Sequence, residues 1–274
     1  MTEGEFKIRP SVCTVCKTSY SGWVVFCEEC REWNKVVVAK GKEENRVEDN
    51  RNDPVGYAGA KPSVCMLSDI QLEKSSRIGT GNAAVDRVFG GGVVPGSVSL
   101  IAGPPGCGKS TLALQILCDI GESKKALLVA SEENDKQIAA RADRLEIGNA
   151  KLEVAVEHDI SSIVSLLKSR SPDFVVVDSL AAIVSPSKEG RRGGAKQMEY
   201  CLTEINKFAK QSGSAFLVVC QSTKSGDYAG SREIEHMSDA LFMMTISKES
   251  GSIQLRGQKN RNGSISEVGL LEFD

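Results

Sequence analysis

The residues whose types and spacing point most directly to chemistry lie in a glycine-rich stretch at 103–111. It fits the phosphate-loop pattern G-x-x-x-x-G-K-[ST] at every fixed position: Gly103, Pro104, Pro105, Gly106, Cys107, Gly108, Lys109, Ser110 and Thr111. In such a loop, glycines let successive backbone N–H groups turn toward a phosphate, the lysine reaches the β- and γ-phosphate oxygens, and the serine holds Mg²⁺. The stretch therefore predicts a site for a nucleoside triphosphate with Mg²⁺.

The residues on either side of this loop support that prediction. The apolar run at 98–102 is typical of a buried strand, and residues 112–117 have the pattern of a helix. A Gly/Pro turn that contains Lys-Ser by chance is the alternative. Such a turn would not require a strand before it and a helix after it.

Acidic and amide side chains stand where three further predicted strands end. Asp178 follows the strand at 174–177 and suits an acid that holds the Mg²⁺ shell through water. Glu132 or Glu133 is placed to orient and deprotonate the water that attacks the γ-phosphate, and the sequence does not choose between them. N-terminal capping of the next helix is the alternative for both glutamates. Gln221 follows another strand and is placed to sense the γ-phosphate.

Four of the nine cysteines have the spacing of a metal site. Cys13, Cys16, Cys27 and Cys30 form two C-x2-C pairs separated by ten residues. This spacing suits a closed structural Zn²⁺ site with four thiolate ligands and no open position for catalysis. Two disulfides or a redox dithiol are the alternatives. Because the unit is too small for a core of its own, metal binding should supply most of its folding free energy.

The other cysteines are scattered, and we expect them to be small buried residues or inert thiols: Cys65, Cys107, Cys118, Cys201 and Cys220. The two tryptophans, Trp23 and Trp33, flank the second cysteine pair. We expect them to cover the metal knuckles, with stacking on a nucleotide base as the alternative.

Two loops that follow strand ends, 185–196 and 222–232, combine glycine with basic residues. Because the net charge of the chain is −2, any contact with nucleic acid has to come from local basic patches of this kind. Lysine and arginine would supply phosphate contacts with little base specificity, and a loop without a ligand is the alternative. The predicted DNA-binding residues are Lys188, Arg191, Arg192, Lys196, Lys224, Tyr228 and Arg232.

The elements that must position these residues follow a regular order. Strands alternate with helices from residue 98 to residue 220, which predicts an α/β fold with a mostly parallel sheet covered on both faces. Runs at 240–246, 252–255 and 265–271 predict antiparallel strands that close one edge. In a doubly wound sheet, ligands bind outside the carboxyl ends of the strands, where the polar residues described above stand.

Length and composition allow one large domain and one small unit. The chain has 274 residues, of which 41% are hydrophobic and 26% charged. We expect a zinc ribbon over residues 9–38, a charged linker with Gly and Pro over 39–65, and a nucleotide-binding domain over 66–274. No apolar stretch approaches the roughly 18 residues of a membrane span, and the charged N-terminus is unlike a signal peptide, so a cytoplasmic location is expected.

An ordered set of motifs resembles the bacterial RadA family, also called Sms, of RecA-like recombination ATPases. The similar segments run from about residue 9 to residue 273. They are Cys27–Asn34, Arg77–Gly81, Asp86–Gly92, Ser131-Glu132-Glu133 with Gln137, Arg141 and Leu145, Glu235–Asp239, and Lys259–Ser264, which resembles the family's KNRFG signature. A phosphate loop alone would be unspecific, whereas this combination is highly specific.

The resemblance implies a RecA-like P-loop ATPase core preceded by a zinc ribbon. It also implies a homo-oligomeric ring, with a hexamer expected, that binds single-stranded DNA and drives branch migration in recombination and repair. Lys259 and Arg261 would reach across a subunit interface to the neighbour's ATP, as arginine fingers do. The alternative is that both are solvated residues of a hairpin turn, for which Asn262-Gly263 is a signal, and the two interpretations are compatible because a turn can present charges to a neighbour. A recombinase or replication protein is the partner expected for the ribbon.

Three departures from the family pattern qualify this expectation. Asn262 stands where the signature has Phe, and Gln221 stands where His is common. The sequence ends at Asp274, whereas RadA proteins continue into a Lon-protease-like domain that helps hold the ring together.

Other functions remain open from the residues alone. The enzymatic alternatives are a replicative-type DNA helicase and a KaiC-like ATPase. The non-enzymatic alternative is a DNA-binding mediator in which ATP only sets the conformation. The joint presence of Lys109, Asp178 and a strand-end glutamate favours an enzyme.

Overall fold

The computed structural model describes residues 11–20, 24, 26–32, 36–38, 66, 77–148, 152–221, 232–247 and 251–272. The chain divides into two compact units, Met1–Pro54 and Val55–Asp274. In the part of the chain that the structure covers, no helix is long and apolar enough to cross a membrane.

The first unit contains a small antiparallel sheet. Its strands are β1 Ser11–Cys13, β2 Ser19–Tyr20 and β3 Val36–Val38, arranged in the order β2-β1-β3. Cys13 pairs with Val36, which brings the first cysteine pair beside the third strand. Among the residues described in this unit, the buried cluster is formed by Cys13, Cys27 and Val36. A cluster of that size is too small to stabilise a fold unaided.

The second unit is built on an eight-stranded sheet. Its strands are β4 Val98–Ala102, β5 Ala126–Ala130, β6 Glu153–Val156, β7 Phe174–Asp178, β8 Ala215–Val219, β9 Ala240–Ile246, β10 Ile253–Asn260 and β11 Val268–Leu271. Its helices are α1 Ala83–Phe89, α2 Lys109–Gly121, α3 Asp135–Arg144, α4 Ile160–Arg170, α5 Ala195–Ser212 and α6 Arg232–Met237, with a short 3-10 turn at Leu180–Ala182. The strand order is β11-β10-β9-β4-β8-β7-β5-β6.

Helices cover both faces of this sheet. Strands β4, β5 and β8 are buried along their whole length, as expected for parallel strands between two helical layers. One core layer packs α1, α2 and α3 on the sheet, with Leu117 of α2 fully buried in it. The other packs α4 and α5 on the opposite face, through residues such as Leu167 and Leu202. The predicted α/β fold with a mostly parallel sheet is therefore confirmed.

Local sequence accounts for the helix that follows the two strand-end glutamates. Asn134 accepts a hydrogen bond from the Gln137 backbone N–H, and the Gln137 side chain accepts one from the Asn134 backbone N–H. This capping box satisfies two backbone donors at the start of α3. The cap at Asn134 therefore starts α3 next to Glu132 and Glu133. This start determines which α3 side chains, Arg141 among them, face the ends of the strands.

The C-terminal strands differ from the prediction in three ways. β9 runs parallel to β4 and is antiparallel only to β10, because α6 carries the chain back across the sheet before β9 begins. β10 extends to Asn260, past a bulge between Gly257 and Lys259. Lys259 is therefore a strand residue, so the hairpin-turn alternative is wrong for Lys259, whereas Arg261 is an exposed residue of the turn that follows β10. β11 begins at Val268 rather than at residue 265.

Candidate functional site

The phosphate loop joins the central strand β4 to helix α2. Gly106 and Gly108 have φ angles of 79° and 86°, in the left-handed region that L-residues rarely adopt. A Cβ at Gly103 would lie 2.5 Å from the Met244 carbonyl oxygen, so this glycine is also required by packing. At Gly106, by contrast, nothing in the described part of the chain lies within 4 Å of a Cβ position. The loop is thus packed at its base and open at its tip.

Lys109 is folded back over this loop. Its Nζ donates hydrogen bonds to the carbonyl oxygens of Gly103 and Pro104, both at 2.9 Å, and the residue is 8% exposed. Ser110 is half-buried in the first turn of α2. The ammonium group is therefore held at the loop by the loop's own backbone. The hydroxyl stands at the N-terminal end of a 13-residue helix, where the helix dipole favours negative charge.

The strand order places the other strand-end residues along the same edge of the sheet. β8 lies between β4 and β7, and β5 follows β7. Asp178 is the last residue of β7 and pairs in register with Ala130, the last residue of β5. Gln221 stands just beyond the end of β8 and is exposed. The carboxyl ends of four neighbouring strands thus carry the loop, the amide and the acids.

One arginine joins two of these acids. The guanidinium of Arg141, from α3, contacts the Glu133 carboxylate, and its Nη1 lies 3.5 Å from Asp178 Oδ2. The Arg141 side chain is 13% exposed and that of Asp178 is 15% exposed. Glu132 has a different partner, since the Ser179 hydroxyl donates a hydrogen bond to its Oε1. The two adjacent glutamates are therefore not equivalent.

Backbone contacts fix this cluster to the sheet. The Ser131 N–H donates to the Asp178 carbonyl at 2.9 Å, and the Ser131 hydroxyl donates to the Ser179 carbonyl at 2.9 Å. Ser179 itself is 2% exposed. The sequence did not identify Ser179 as a site residue, and Arg141 appeared only as part of the family resemblance. The available signal was the position of Arg141 on the helix that begins directly after the glutamates.

Lys259 and Arg261 lie at the other end of the sheet. Lys259 Nζ donates to the carbonyl oxygens of Glu235, His236 and Ser238 at 2.6, 3.1 and 2.7 Å, which holds the C-terminal end of α6. Burial, and then the nearby Arg261 charge, lowers the pKa of Lys259. Arg261 Nη2 donates to the His236 carbonyl at 2.9 Å. Its side chain is 55% exposed.

Asp239 connects this region to the start of β4. Its Oδ2 accepts from the Val98 backbone N–H and from Lys210 Nζ, both at 2.9 Å. Val98 is the first residue of β4, whereas the phosphate loop follows the last, Ala102. Four residue steps at about 3.3 Å each separate these ends by about 13 Å. Arg261 therefore does not lie beside the phosphate loop of its own chain.

The first predicted DNA loop is described by the structure. Its four basic residues are all exposed: Lys188, Arg191 and Arg192 lie before helix α5, whereas Lys196 lies in the first turn of α5 rather than in a loop. The buried Gln197 fixes the base of this loop, since its Nε2 donates to the Lys188 carbonyl at 2.6 Å and its Oε1 accepts from the Ser185 N–H at 2.8 Å. Arg192 Nη2 donates to the Ser131 carbonyl at 3.0 Å, so this loop contacts the residue that precedes Glu132.

Most of the second predicted DNA loop lies outside the described residues, including Lys224 and Tyr228. Arg232 is described, and it is the exposed first residue of α6.

The four clustered cysteines form a group that could hold a metal ion. Their Sγ atoms all lie within 4.8 Å of one another, and all four thiols are free. The Cys30 backbone N–H, and then the Tyr20 hydroxyl, stabilise the Cys27 thiolate and lower the pKa of Cys27 to about 6. Thiolates are the form that binds metal. Trp23 and Trp33 lie outside the described residues.

The remaining described cysteines differ from this group. Cys107, Cys118, Cys201 and Cys220 are buried and form no disulfide. Burial raises the pKa of Cys201 to about 12, which keeps it as an unreactive thiol. Cys65 lies outside the described residues.

Comparisons with known proteins show which family the chain belongs to. A family model described as AAA domain matches residues 64–227. DNA repair protein RadA of Pseudomonas aeruginosa is 36% identical over 261 residues, which cover 94% of this chain and 56% of that protein. DNA repair protein RadA of Escherichia coli is 36% identical over 265 residues, which cover 96% of this chain and 57% of that protein. The chain thus spans little more than half the length of these relatives.

A solved ATPase domain shares the fold. It has a TM-score of 0.60 and 15% sequence identity to this chain, and the match covers 72% of this chain and 87% of that one. This likeness supports the RecA-like fold of the second unit. The RadA relatives extend the match across almost the whole sequence. The chain belongs to the AAA domain family, and within it the chain is a homologue of the RadA proteins.

Proposed function

We propose that this chain is a DNA-dependent ATPase of DNA repair and homologous recombination, and that it drives branch migration as a motor on single-stranded DNA. The observation that carries the proposal is the edge of the sheet where a phosphate loop, Asp178 and a pair of glutamates stand at the ends of neighbouring strands. The names of the RadA relatives supply the repair context.

The residues of one chain would prepare the triphosphate for attack. Lys109 would exchange its two loop carbonyls for phosphate oxygens, while the backbone N–H groups of the loop bind the β-phosphate. Ser110 and Asp178 would hold Mg²⁺, the latter through water. When bound, the metal neutralises negative charge on the phosphates. Glu132 or Glu133 would take the proton of the attacking water, and Gln221 would contact the γ-phosphate.

The second half of the active site would come from a neighbouring copy. Arg261 is exposed and lies at the end of β4 remote from its own loop, so it is available to another chain's triphosphate. Lys259 would act with it to neutralise charge that develops in the transition state. Hydrolysis then requires a homo-oligomer, which we propose is a hexameric ring.

The loop at 185–196 would bind the phosphates of single-stranded DNA through its basic side chains, together with the loop at 222–232. The hydrogen bond from Arg192 to Ser131 would connect DNA binding with the adjacent catalytic glutamates. Because the hydrogen bonds of Gln197 fix the base of the loop, a displacement of the loop on DNA binding would change the contact between Arg192 and Ser131.

We propose Zn²⁺ as the metal of the four-cysteine cluster, because four thiolates suit tetrahedral Zn²⁺ and leave no position open for catalysis. The ribbon over 9–38 would then recruit a recombination or replication protein, with 39–65 as the linker and 66–274 as the ATPase domain. The expected location is the cytoplasm.

Phosphate release by the purified full chain, measured with and without single-stranded DNA, tests this function. We expect DNA to raise the rate, and mass measurements with ATP and DNA to show an oligomer. A trace rate that DNA and loss of Lys109 both leave unchanged would contradict the ATPase. Nucleotide-dependent DNA binding in that case would favour the mediator alternative.

A further inference from the structure

Glu132 and Glu133 follow the same strand but have different hydrogen-bond partners. Glu133 contacts the guanidinium of Arg141, a side chain that is 13% exposed. Glu132 accepts from the Ser179 hydroxyl through Oε1 and is otherwise exposed. The neighbouring glutamates therefore offer a water molecule different surroundings.

These partners affect the capacity of each carboxylate to act as a base. A guanidinium is always charged, so its contact with Glu133 Oε2 is an ion pair that holds the Glu133 carboxylate toward Arg141. A carboxylate held in this way is poorly placed to turn toward a water and take its proton. A serine hydroxyl is neutral, so it orients the Glu132 carboxylate through Oε1 without pairing its negative charge with a cation. The geometry thus favours Glu132 over Glu133 as the base.

Arg141 also holds Asp178, at 3.5 Å between Nη1 and Oδ2. The carboxylates of Glu133 and Asp178 lie at the same edge of the sheet, and they repel each other unless a cation lies between them. The guanidinium supplies that charge, and the contacts of Ser131 with Asp178 and Ser179 fix the backbone beneath it. Arg141 therefore ties the strand end that carries the glutamates to the strand end that is proposed to hold the Mg²⁺ shell.

We propose that Arg141 is a positioning residue that forms ion pairs with both Glu133 and Asp178, and that Glu132 is therefore the catalytic base. The inference rests on the proposed ATPase function and refines it. Glu133 becomes a support for the metal-side carboxylate, and Ser179 becomes the residue that orients Glu132. Arg141 touches neither water nor phosphate in this scheme and acts only through the carboxylates.

Glutamine variants of the two glutamates test the assignment of the base. E132Q should lower kcat by about 10²–10⁴-fold and leave the affinity for a fluorescent ATP analogue unchanged. E133Q should lower kcat by no more than about 10-fold. The proposal is overturned if E133Q is inactive while E132Q still hydrolyses ATP.

Arginine variants test the positioning role. R141A should lower kcat by about 10–100-fold and raise the free Mg²⁺ needed for half-maximal nucleotide binding by about 10-fold. R141K keeps the charge without the fork and should recover part of both losses. R141A combined with E133Q should be no slower than R141A alone, within about 2-fold, because the two residues act as one unit. An unchanged Mg²⁺ requirement in R141A, or losses that multiply in the double variant, would contradict the proposal.

Controls separate this proposal from the broader function and from misfolding. Arg144→Ala removes an exposed charge on the same helix and should leave kcat and the Mg²⁺ requirement unchanged. Thermal unfolding of each variant shows whether a loss reflects the fold. The Mg²⁺ requirement is read from nucleotide binding, so it still decides the role of Arg141 if the wild-type chain binds ATP without hydrolysing it. That last result would contradict only the proposed ATPase.

Discussion

Asp239 and Arg261 are joined twice. The Arg261 backbone N–H donates to the Asp239 carbonyl at 2.9 Å, and Arg261 Nη1 lies 3.6 Å from Asp239 Oδ1. The other carboxylate oxygen of Asp239 accepts from the first residue of β4, Val98. The proposed trans-acting arginine is therefore anchored to the strand that carries its own phosphate loop.

We expect Arg261→Ala to abolish hydrolysis, by about 10³-fold or more, while ATP binding persists, because the arginine serves a neighbouring copy. Nucleotide binding and phosphate release are measured on the same preparation. Mixing R261A with K109A should restore part of the activity. R261A supplies an intact phosphate loop, and K109A supplies an intact Arg261, so a mixed contact contains one complete site. Loss of ATP binding in R261A, or no recovery in the mixture, would argue against a trans role.

We expect Lys109→Ala to reduce DNA-stimulated hydrolysis by about 100-fold or more, because its ammonium group is the positive charge that the loop holds ready for the γ-phosphate. Lys124→Ala is the matched control, since this lysine is exposed just beyond the end of the same helix. Steady-state phosphate release is the measurement. Equal rates for K109A and the control would show that the loop does not carry the activity.

Asp239→Asn should lower the free energy of unfolding by about 1–3 kcal/mol, because it weakens the charged hydrogen bond with Lys210 in a site that is 8% exposed. It should also reduce hydrolysis, since the Arg261 guanidinium loses its ion pair with the Asp239 carboxylate and keeps only the backbone contact. Urea unfolding of the full chain gives the first quantity. Lys207→Ala, which removes a more exposed pair with Glu204, should cost less than about 1 kcal/mol. If Asp239→Asn lowers the free energy of unfolding as expected but leaves the hydrolysis rate unchanged, the contact between Asp239 and Arg261 is not needed for catalysis.

Arg191 and Arg192 are adjacent and exposed, and the Arg192 guanidinium donates to the Ser131 carbonyl. We expect Arg191→Ala to weaken binding of single-stranded DNA. The slope of log K against log salt concentration should become shallower by about 0.7 for each phosphate contact that is lost. Arg192→Ala should in addition lower the hydrolysis rate at saturating DNA. Fluorescence anisotropy at several salt concentrations and phosphate release are the measurements. Identical behaviour of the two variants would contradict a coupling role for Arg192.

We expect each chain to bind one Zn²⁺, and Cys27→Ser to abolish this binding, because the thiolate form of Cys27 is favoured and serine cannot replace it. Metal analysis of the purified protein is the measurement. Cys118→Ala removes a thiol outside the cluster and should retain the metal. A chelator should release the zinc and unfold the ribbon. Full zinc content in C27S would contradict the proposed site.

The sequence predicted the elements better than the contacts between their side chains. Apolar runs and strand-end polar residues were enough to predict a parallel sheet with its polar residues at one edge. The two C-x2-C pairs were enough to predict the cysteine cluster, which the structure brings together. These features depend on local spacing, so they can be recognised without knowing how the chain packs.

The features that the sequence did not reveal depend on tertiary packing. The direction of β9 is set by the path of α6 across the sheet, which no local pattern encodes. The contact of Arg141 with Asp178 joins residues 37 positions apart on different elements. Asn262-Gly263 is a turn signal, which suggested a turn at Lys259, yet Lys259 and Asn260 still pair with β9 and the turn begins only at Arg261.

The placement of Arg261 and the phosphate loop at opposite ends of β4 has a consequence for symmetry. If Arg261 completes the site of a neighbouring copy, as proposed, each chain provides an arginine at one end of β4 and a phosphate loop at the other, and copies would associate head to tail through a heterologous contact. An open row of copies leaves one loop without an arginine and one arginine without a loop. Only a closed array completes every site, which makes closure itself a condition for full activity per chain.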